Sequence, residues 1–186
     1  MNATFAVINE MVEAGVIGRY AIAGAVGALF YLEPIMTSDL DVLVSVEGMT
    51  TARSGLVTLS PVFEYLKAKG YSEFRQEGVV IEGWPVQFLP VASPLDSESL
   101  EQAIETEVDD GKRIKVRILR AEHLMATALR VGRFKDHVRI RAFLDEKKVD
   151  LEKLGGVLSR HGLVDAWKDF CGKAGIREPE ILDLAP

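Results

Sequence analysis

Cysteine is nearly absent from this chain of 186 residues, and Cys171 stands alone. One thiol makes neither an internal disulfide nor a cysteine zinc site. A reducing, cytoplasmic setting is therefore expected, with Cys171 serving as packing rather than as a nucleophile. Histidine is sparse too. His123, His137 and His161 are scattered, without partners at ligand-like spacing, so surface or cap positions are expected rather than a metal site. Positive charge is in deficit: 22 Lys and Arg stand against 28 Asp and Glu, a net charge of −6. A general coat for DNA or RNA is basic, so non-specific nucleic-acid binding is not expected. The first fifteen residues carry Glu10 and Glu13 and no basic stretch, so they do not read as a signal peptide. The longest apolar run, residues 21–32, is too short and too rich in glycine for a membrane span. There is no internal repeat and no low-complexity tract.

What is present suits a globular chain. Hydrophobic residues make up 48% and charged residues 27%, enough to bury a core in one domain, or in one domain with a small appendage. Phe5, Ile8, Val12 and Val16 recur at helical spacing and predict a helix over 3–14, ending near Gly15. Residues 19–23 (RYAIA) read as a short strand, and 24–27 as a turn into a helix over 26–32 that Glu33-Pro34 ends. A strand follows at 40–46, then a helix at 59–69 closed by Gly70. Residues 79–82 and 85–89, separated by Gly83-Trp84, predict a hairpin. A helix capped by Asp96 or Ser97 is expected to run to 108, and a strand over 115–119. From 121 the pattern is helical, at 121–131, 134–146, 150–160 and 163–174, punctuated by Gly132, Gly155-Gly156, Gly162 and Gly175. The fold class is thus α+β, with a mixed core over 1–119 and a helical region over 120–186.

One stretch carries chemistry: "AIAGAVGALFYLEPIMTSDLDVLVSV", residues 21–46. In a strand, residues two apart share a face, so Asp39 and Asp41 project together while Leu40 turns to the core. Two carboxylates on one face repel each other. A divalent cation resolves that, since magnesium commonly takes one or two carboxylates plus substrate phosphates. The alternative is a plain turn, Thr37-Ser38-Asp39, with Asp39 capping backbone donors. Gly24 ends a strand and Ala25 opens a helix, so a phosphate has room to approach a helix N-terminus there. A tight turn that needs a small residue explains the same glycine.

The order of strand, small-residue turn, helix and D-x-D strand resembles the DNA polymerase beta-like nucleotidyltransferase superfamily. It is most similar to the minimal and abortive-infection-type bacterial members. The matching residues are "AGAVGAL" (23–29) and "TSDLDVLV" (37–44), and a looser likeness continues through "LRAEHLMATALRVGRFKD" (119–136). The resemblance implies a mixed β-sheet flanked by helices with a C-terminal helical extension. It also implies transfer of a nucleotidyl group from an NTP to an acceptor hydroxyl on a small molecule, protein or RNA. By that likeness Asp39 and Asp41 hold two Mg2+ ions, and Gly24, Ala25, Thr37 and Ser38 lie at the nucleotide with Arg133, Lys135 and Asp136. The family's third carboxylate falls in "PVQFLP", at Gln87. Glutamine has a neutral oxygen and cannot be the anionic base. Glu82, across the expected hairpin, either replaces that acid or is an exposed turn carboxylate. The relatives' helical lysine falls at Ala128, and their second small residue, Gly or Ser, is Ala25 here. Those departures leave a second reading, a nucleotide-binding or toxin–antitoxin-type regulatory protein of impaired turnover, working with a partner protein or as a homo-oligomer.

The remaining features stay open. "LRVGRFKDHVRIR" sets Arg130, Arg133, Lys135, Arg139 and Arg141 against Asp136 alone. It is either a patch for triphosphate or a partner's acidic surface, or a solvated helix face. Trp84 either stacks on a base or packs with the sheet, whereas Trp167 and Phe170 read as core.

Overall fold

A computed structural model of the chain describes residues 1–33, 36–45, 58–109, 111 and 113–176. The chain divides into two compact units, Met1–Val26 with Met36–Leu119, and Gly27–Ile35 with Arg120–Pro186.

The first unit is built on a sheet. Its central strand, β2 (Leu40–Val44), pairs antiparallel with β1 (Tyr20–Ile22) and parallel with β5 (Trp84–Pro90). Leu40, Val42 and Val44 are fully buried and Leu43 nearly so, as an apolar run covered on both faces should be. Outside β5 lie β4 (Gly78–Ile81) and the two-residue edge strand β3 (Phe74–Arg75). Outside β1 lie β7 (Arg113–Ile118), parallel to it, and β6 (Ile104–Asp109). Among the described residues the sheet has seven strands in the order β3-β4-β5-β2-β1-β7-β6. The β6 edge carries a charge ladder, with Glu105, Glu107 and Asp109 opposite Arg117, Lys115 and Arg113. Charged side chains on an edge strand discourage pairing with another chain.

Among the described residues, α1 (Asn2–Glu13), α3 (Ser60–Ala68) and α4 (Pro94–Glu101) belong to this unit. The inward face of α1 is set by Thr4, Phe5, Val7, Ile8 and Met11, and not by the expected line through Val12, which is 37% exposed. A threonine, read from sequence as polar, points inward because its hydroxyl donates to the Ile81 carbonyl at 3.2 Å. The short α2 (Gly24–Ala28) begins two residues before the expected helix, at Gly24 itself, and stops at Ala28, with turns through residues 29–33.

The helix expected to run to 108 is instead α4 followed by β6. Ser93 Oγ, not Asp96 or Ser97, accepts the capping bond from the Asp96 amide, with Pro94 at the first helical position. The helix ends by Gln102, and "IETEVD" alternates half-buried and exposed residues, which is a strand's period. β3 was not expected at all, being too short to show a period. Of the strand expected over 40–46, Val46 lies outside the described residues.

The second unit is helical, with α5 (Ala121–Val131), α6 (Phe134–Asp145), α7 (Leu151–Arg160) and α8 (Val164–Ala174). α5 packs against the other three. Gly132 (φ +69°) and Gly175 (φ +62°) close α5 and α8 in the left-handed conformation. The Gly155-Gly156 pair does not punctuate; α7 runs through it, with Gly155 buried. Tyr31 lies against Phe143, ring centroids 6.0 Å apart, and so joins the 27–33 segment to α6. His123 is buried on α5, contrary to the expected surface or cap position, whereas His161 does cap α7. Trp167 and Phe170 are buried core residues 5.7 Å apart, and Cys171 is buried beside them in sequence. Among the described residues no helix is long and apolar enough to cross a membrane.

The β4–β5 hairpin generates a prediction. A Cβ built on Gly78 would lie 2.8 Å from the Val86 amide nitrogen and 2.9 Å from its carbonyl carbon, so two backbones meet where no side chain fits. Gly78→Ala is expected to destabilise the protein by about 1–3 kcal/mol, read as a lower urea midpoint. An unchanged midpoint would show that the hairpin tolerates the added methyl.

Candidate functional site

Asp41 is the second residue of β2. Its neighbour Leu40 is fully buried, and Asp39 and Asp41 on either side are half-buried, which is the alternation a shared carboxylate face requires. The Ala23 amide donates to the Asp41 carbonyl at 2.9 Å and ties the start of α2 to this point of the strand.

The consequence appears at Gly24. A Cβ there would lie 1.9 Å from Asp41 Oδ2, 2.8 Å from its Cγ and 3.1 Å from its Cβ. The carboxylate therefore stands in the space that any side chain at residue 24 would fill. Gly24 also has φ +58°, a conformation that side-chain-bearing residues avoid. Both facts demand glycine, and one of them comes directly from the acid. The apposition of glycine turn and D-x-D strand expected from sequence is thus a physical contact. What stands over Gly24 is Asp41 itself, and α2 is only five residues long.

Asp39 lies just before the strand. The Thr37 hydroxyl is 3.1 Å from Asp39 Oδ1 and 3.2 Å from the Asp39 carbonyl, so its single proton is shared between them. The alternative read from sequence, a turn with Asp39 accepting from backbone donors, differs from this: the donor is the Thr37 side chain, and only a bend lies at Ser38. The Thr37 bond fixes the Asp39 side chain and does not involve its other oxygen. Ser38 is exposed.

On the other side of β2 the parallel register sets Asp41 beside Gln87 and Leu40 beside Val86. Gln87 therefore shares the carboxylate face, as expected. Its Nε2 donates to Glu77 Oε2 at 2.9 Å. Glu77, in the turn between β3 and β4, was missed in the sequence because β3 is too short to announce a hairpin. Glu82 does not take the third position. It sits at the hairpin tip with φ +51°, and its carboxylate accepts from the Tyr71 hydroxyl. That bond, with some burial, pushes the Tyr71 pKa up to about 12. Tyr71 and Glu82 line a separate cavity of about 660 Å3 beside α1, together with Glu10 and Lys69. Trp84 is half-buried and pairs with Ile81 across the hairpin.

Arg133, Lys135 and Asp136 belong to the helical unit. Asp136 is 1% exposed and is the third residue of α6. Its Oδ2 accepts from the Arg133 amide at 3.2 Å and Nε at 2.8 Å, and its Oδ1 accepts from Arg133 NH2 and Arg139 NH1, both at 3.3 Å. The carboxylate is committed to starting α6. Ala128 is buried within α5. Among the described residues no three His, Cys, Asp or Glu side chains are grouped to hold a metal ion.

No protein-family model matches the chain. No curated protein sequence matches it either. Among solved structures it is similar to an antigenic nucleotidyltransferase-like protein from Paracoccidioides brasiliensis, with a TM-score of 0.52 and 17% identity, over 98% of this chain and 96% of that one. At that identity the likeness is one of fold. The seven-stranded mixed sheet with its flanking helices is a nucleotidyltransferase-like α+β fold.

The Gly24–Asp41 contact is testable by a double-mutant cycle. Gly24→Ala is expected to destabilise by about 2–4 kcal/mol, combining the left-handed backbone with the clash. In an Asp41→Ala background the carboxylate is gone and only the backbone strain remains, so the cost should fall to about 1 kcal/mol. Equal costs in both backgrounds would show that the acid does not press on the glycine.

Proposed function

We propose that the chain binds a nucleoside triphosphate with a divalent cation at Asp39 and Asp41 and transfers the nucleotidyl group to an acceptor hydroxyl. The observation that carries this reading is the Asp41 carboxylate, set against Gly24 and beside Gln87 on a nucleotidyltransferase-like fold.

The donor chemistry fits magnesium. Both side chains offer hard carboxylate oxygens, and a magnesium ion completes its octahedron with phosphates and water, so two carboxylates suffice. When bound, the metal neutralises phosphate charge and polarises the phosphoryl group under attack. The chain's own residues do the rest. Thr37 fixes Asp39, and Gly24 keeps the space over the turn clear for the Asp41 carboxylate. Gly24 and Ala25, both half-buried residues at the start of α2, are the positions we assign to the phosphates. In the transfer the acceptor oxygen bonds to the α-phosphorus, the bond to the β-phosphate's bridging oxygen breaks, and pyrophosphate leaves. The hydroxyl proton passes to solvent water or to a base on the acceptor, because Gln87 is not an anionic base.

That last point supports a second reading, nucleotide binding without turnover. Its observation is the Gln87–Glu77 bond, which ties the amide at the third position to an exposed carboxylate.

Calorimetry with magnesium and each NTP tests the common part. Heat of binding is expected, and Asp39→Asn and Asp41→Asn should each weaken it by at least about tenfold. No magnesium-dependent heat in the wild-type chain would reject both readings. Pyrophosphate release with candidate acceptors then separates them. Placing an acid at the third position means Gln87→Asp, and Glu77→Gln must accompany it to avoid two adjacent carboxylates. If the fold supports turnover, the double variant should release pyrophosphate at least about tenfold faster than wild type. Silence from both proteins, with NTP binding intact, would leave binding as the function.

A further inference from the structure

The end of α5 and the outer face of α6 carry an exposed apolar patch that the nucleotide reading does not use. Phe134 is 85% exposed, Val138 51% and Val131 48%. Phe134 and Val138 are four residues apart on one helix and share a face, while Asp136, Ile140 and Phe143 fill the buried side of α6. Gly132, in the left-handed conformation, turns the chain between Val131 and Phe134. Single exposed apolar residues need no explanation, but three within eight residues, one of them an aromatic ring almost wholly in solvent, do.

Along residues 130–141 the exposed charges include Arg130, Arg133, Lys135 and Arg141, and no acid is exposed. Arg130, Arg133 and Lys135 interleave with Val131 and Phe134, and all five are exposed. The only acid between residues 130 and 141 is Asp136. It is buried against Arg133 and Arg139, so it puts no negative charge on the surface. This positive patch sits on a chain whose net charge is −6.

We infer that this surface docks an acidic, apolar segment of a partner protein, with apolar anchors on Phe134, Val131 and Val138 and carboxylates facing Arg130, Arg133 and Lys135. Complementarity of charge and of apolar area both select that occupant. A nucleic acid fits less well. Of the three anchors only Phe134 has a ring on which a base can stack, and Val131 and Val138 have none. A phosphate group fits less well again, since the centre of the patch has no donor. The inference does not rest on the metal reading of Asp39 and Asp41.

The test uses the full chain and a fluorescein-labelled synthetic peptide of about 15 residues, long enough for a helix, with Leu at i and i+4 and Glu on both flanks. Anisotropy should show saturable binding with a Kd on the order of micromolar. Phe134→Ser and Lys135→Glu should each weaken it at least about tenfold, as should replacing the peptide's Glu by Lys. Both side chains are exposed, so the variants are expected to fold, with unchanged circular dichroism and Tm. Phe134→Ser should leave the heat of magnesium–NTP binding unchanged, so failure here and failure of the nucleotide reading are separate results. The inference is overturned if the peptide does not bind, or if it binds Phe134→Ser equally well. It is also overturned if magnesium–ATP displaces the peptide, which would make the patch a nucleotide subsite. An RNA oligonucleotide of equal charge outcompeting the peptide would overturn it in favour of nucleic acid. A concentration-dependent dimer abolished by Phe134→Ser would overturn it in favour of a second copy.

Discussion

A carboxylate lying where a side chain would otherwise be is the constraint on which the sheet unit's chemistry depends. Asp41 Oδ2 occupies the Cβ space of Gly24, and the Asp41 carbonyl holds the Ala23 amide at 2.9 Å. Strand β2 and the start of α2 are therefore locked at one point by backbone and side chain together. A larger residue at 24 would have to push the Asp41 carboxylate aside. Leu40 reinforces this from the other face, since a fully buried leucine fixes the register that aims both acids outward.

The neighbouring strand extends the same logic. Because β5 runs parallel to β2, the residue beside Asp41 shares its face, and that residue is Gln87. A carboxylate there would add a third negative charge to one small surface. An amide adds none, and its N–H group can engage an acid from beyond the sheet, as Glu77 shows. Asp39 and Asp41 thus lie at the start of β2, and Gln87 on the neighbouring strand turns its amide to Glu77. Holding Glu77 out on the Gln87 amide keeps three like charges from crowding one face.

The sequence revealed the parts of this arrangement that repeat with a period or stand in a short motif. The D-x-D pair, the apolar run of β2, the glycine at residue 24 and the hairpin around Gly83 were all readable, because burial on both faces and turn chemistry leave local marks. The fold class followed from the change to a helical period after Leu119. What failed to show lacked such a mark. Glu77 depends on a two-residue strand, and no period exists in two residues. The inward Thr4 depends on a carbonyl 77 positions away. The stretch "IETEVD" was absorbed into a preceding helix because Glu and Val suit both states until the partner strand β7 supplies its matching charges. The motif reading of Asp136 was incomplete for the same reason: its role in starting α6 is set by Arg133, which the resemblance puts at the nucleotide, and by Arg139, which it does not.

Asp136 also shows how one buried acid shapes a surface. By accepting four hydrogen bonds from two arginines it neutralises charge inside the helix start, not outside it. The guanidinium of Arg133 remains 57% exposed, while the carboxylate it answers is 1% exposed. The buried ion pair therefore removes the negative partner from solvent and leaves the positive one at the rim, beside Phe134. An asparagine at 136 could still cap the helix but would bind the arginines less firmly. The capping requirement and the positive rim thus have one cause: the run begins a helix on Asp136, with Arg133 at the rim and Arg139 folded in beside the acid.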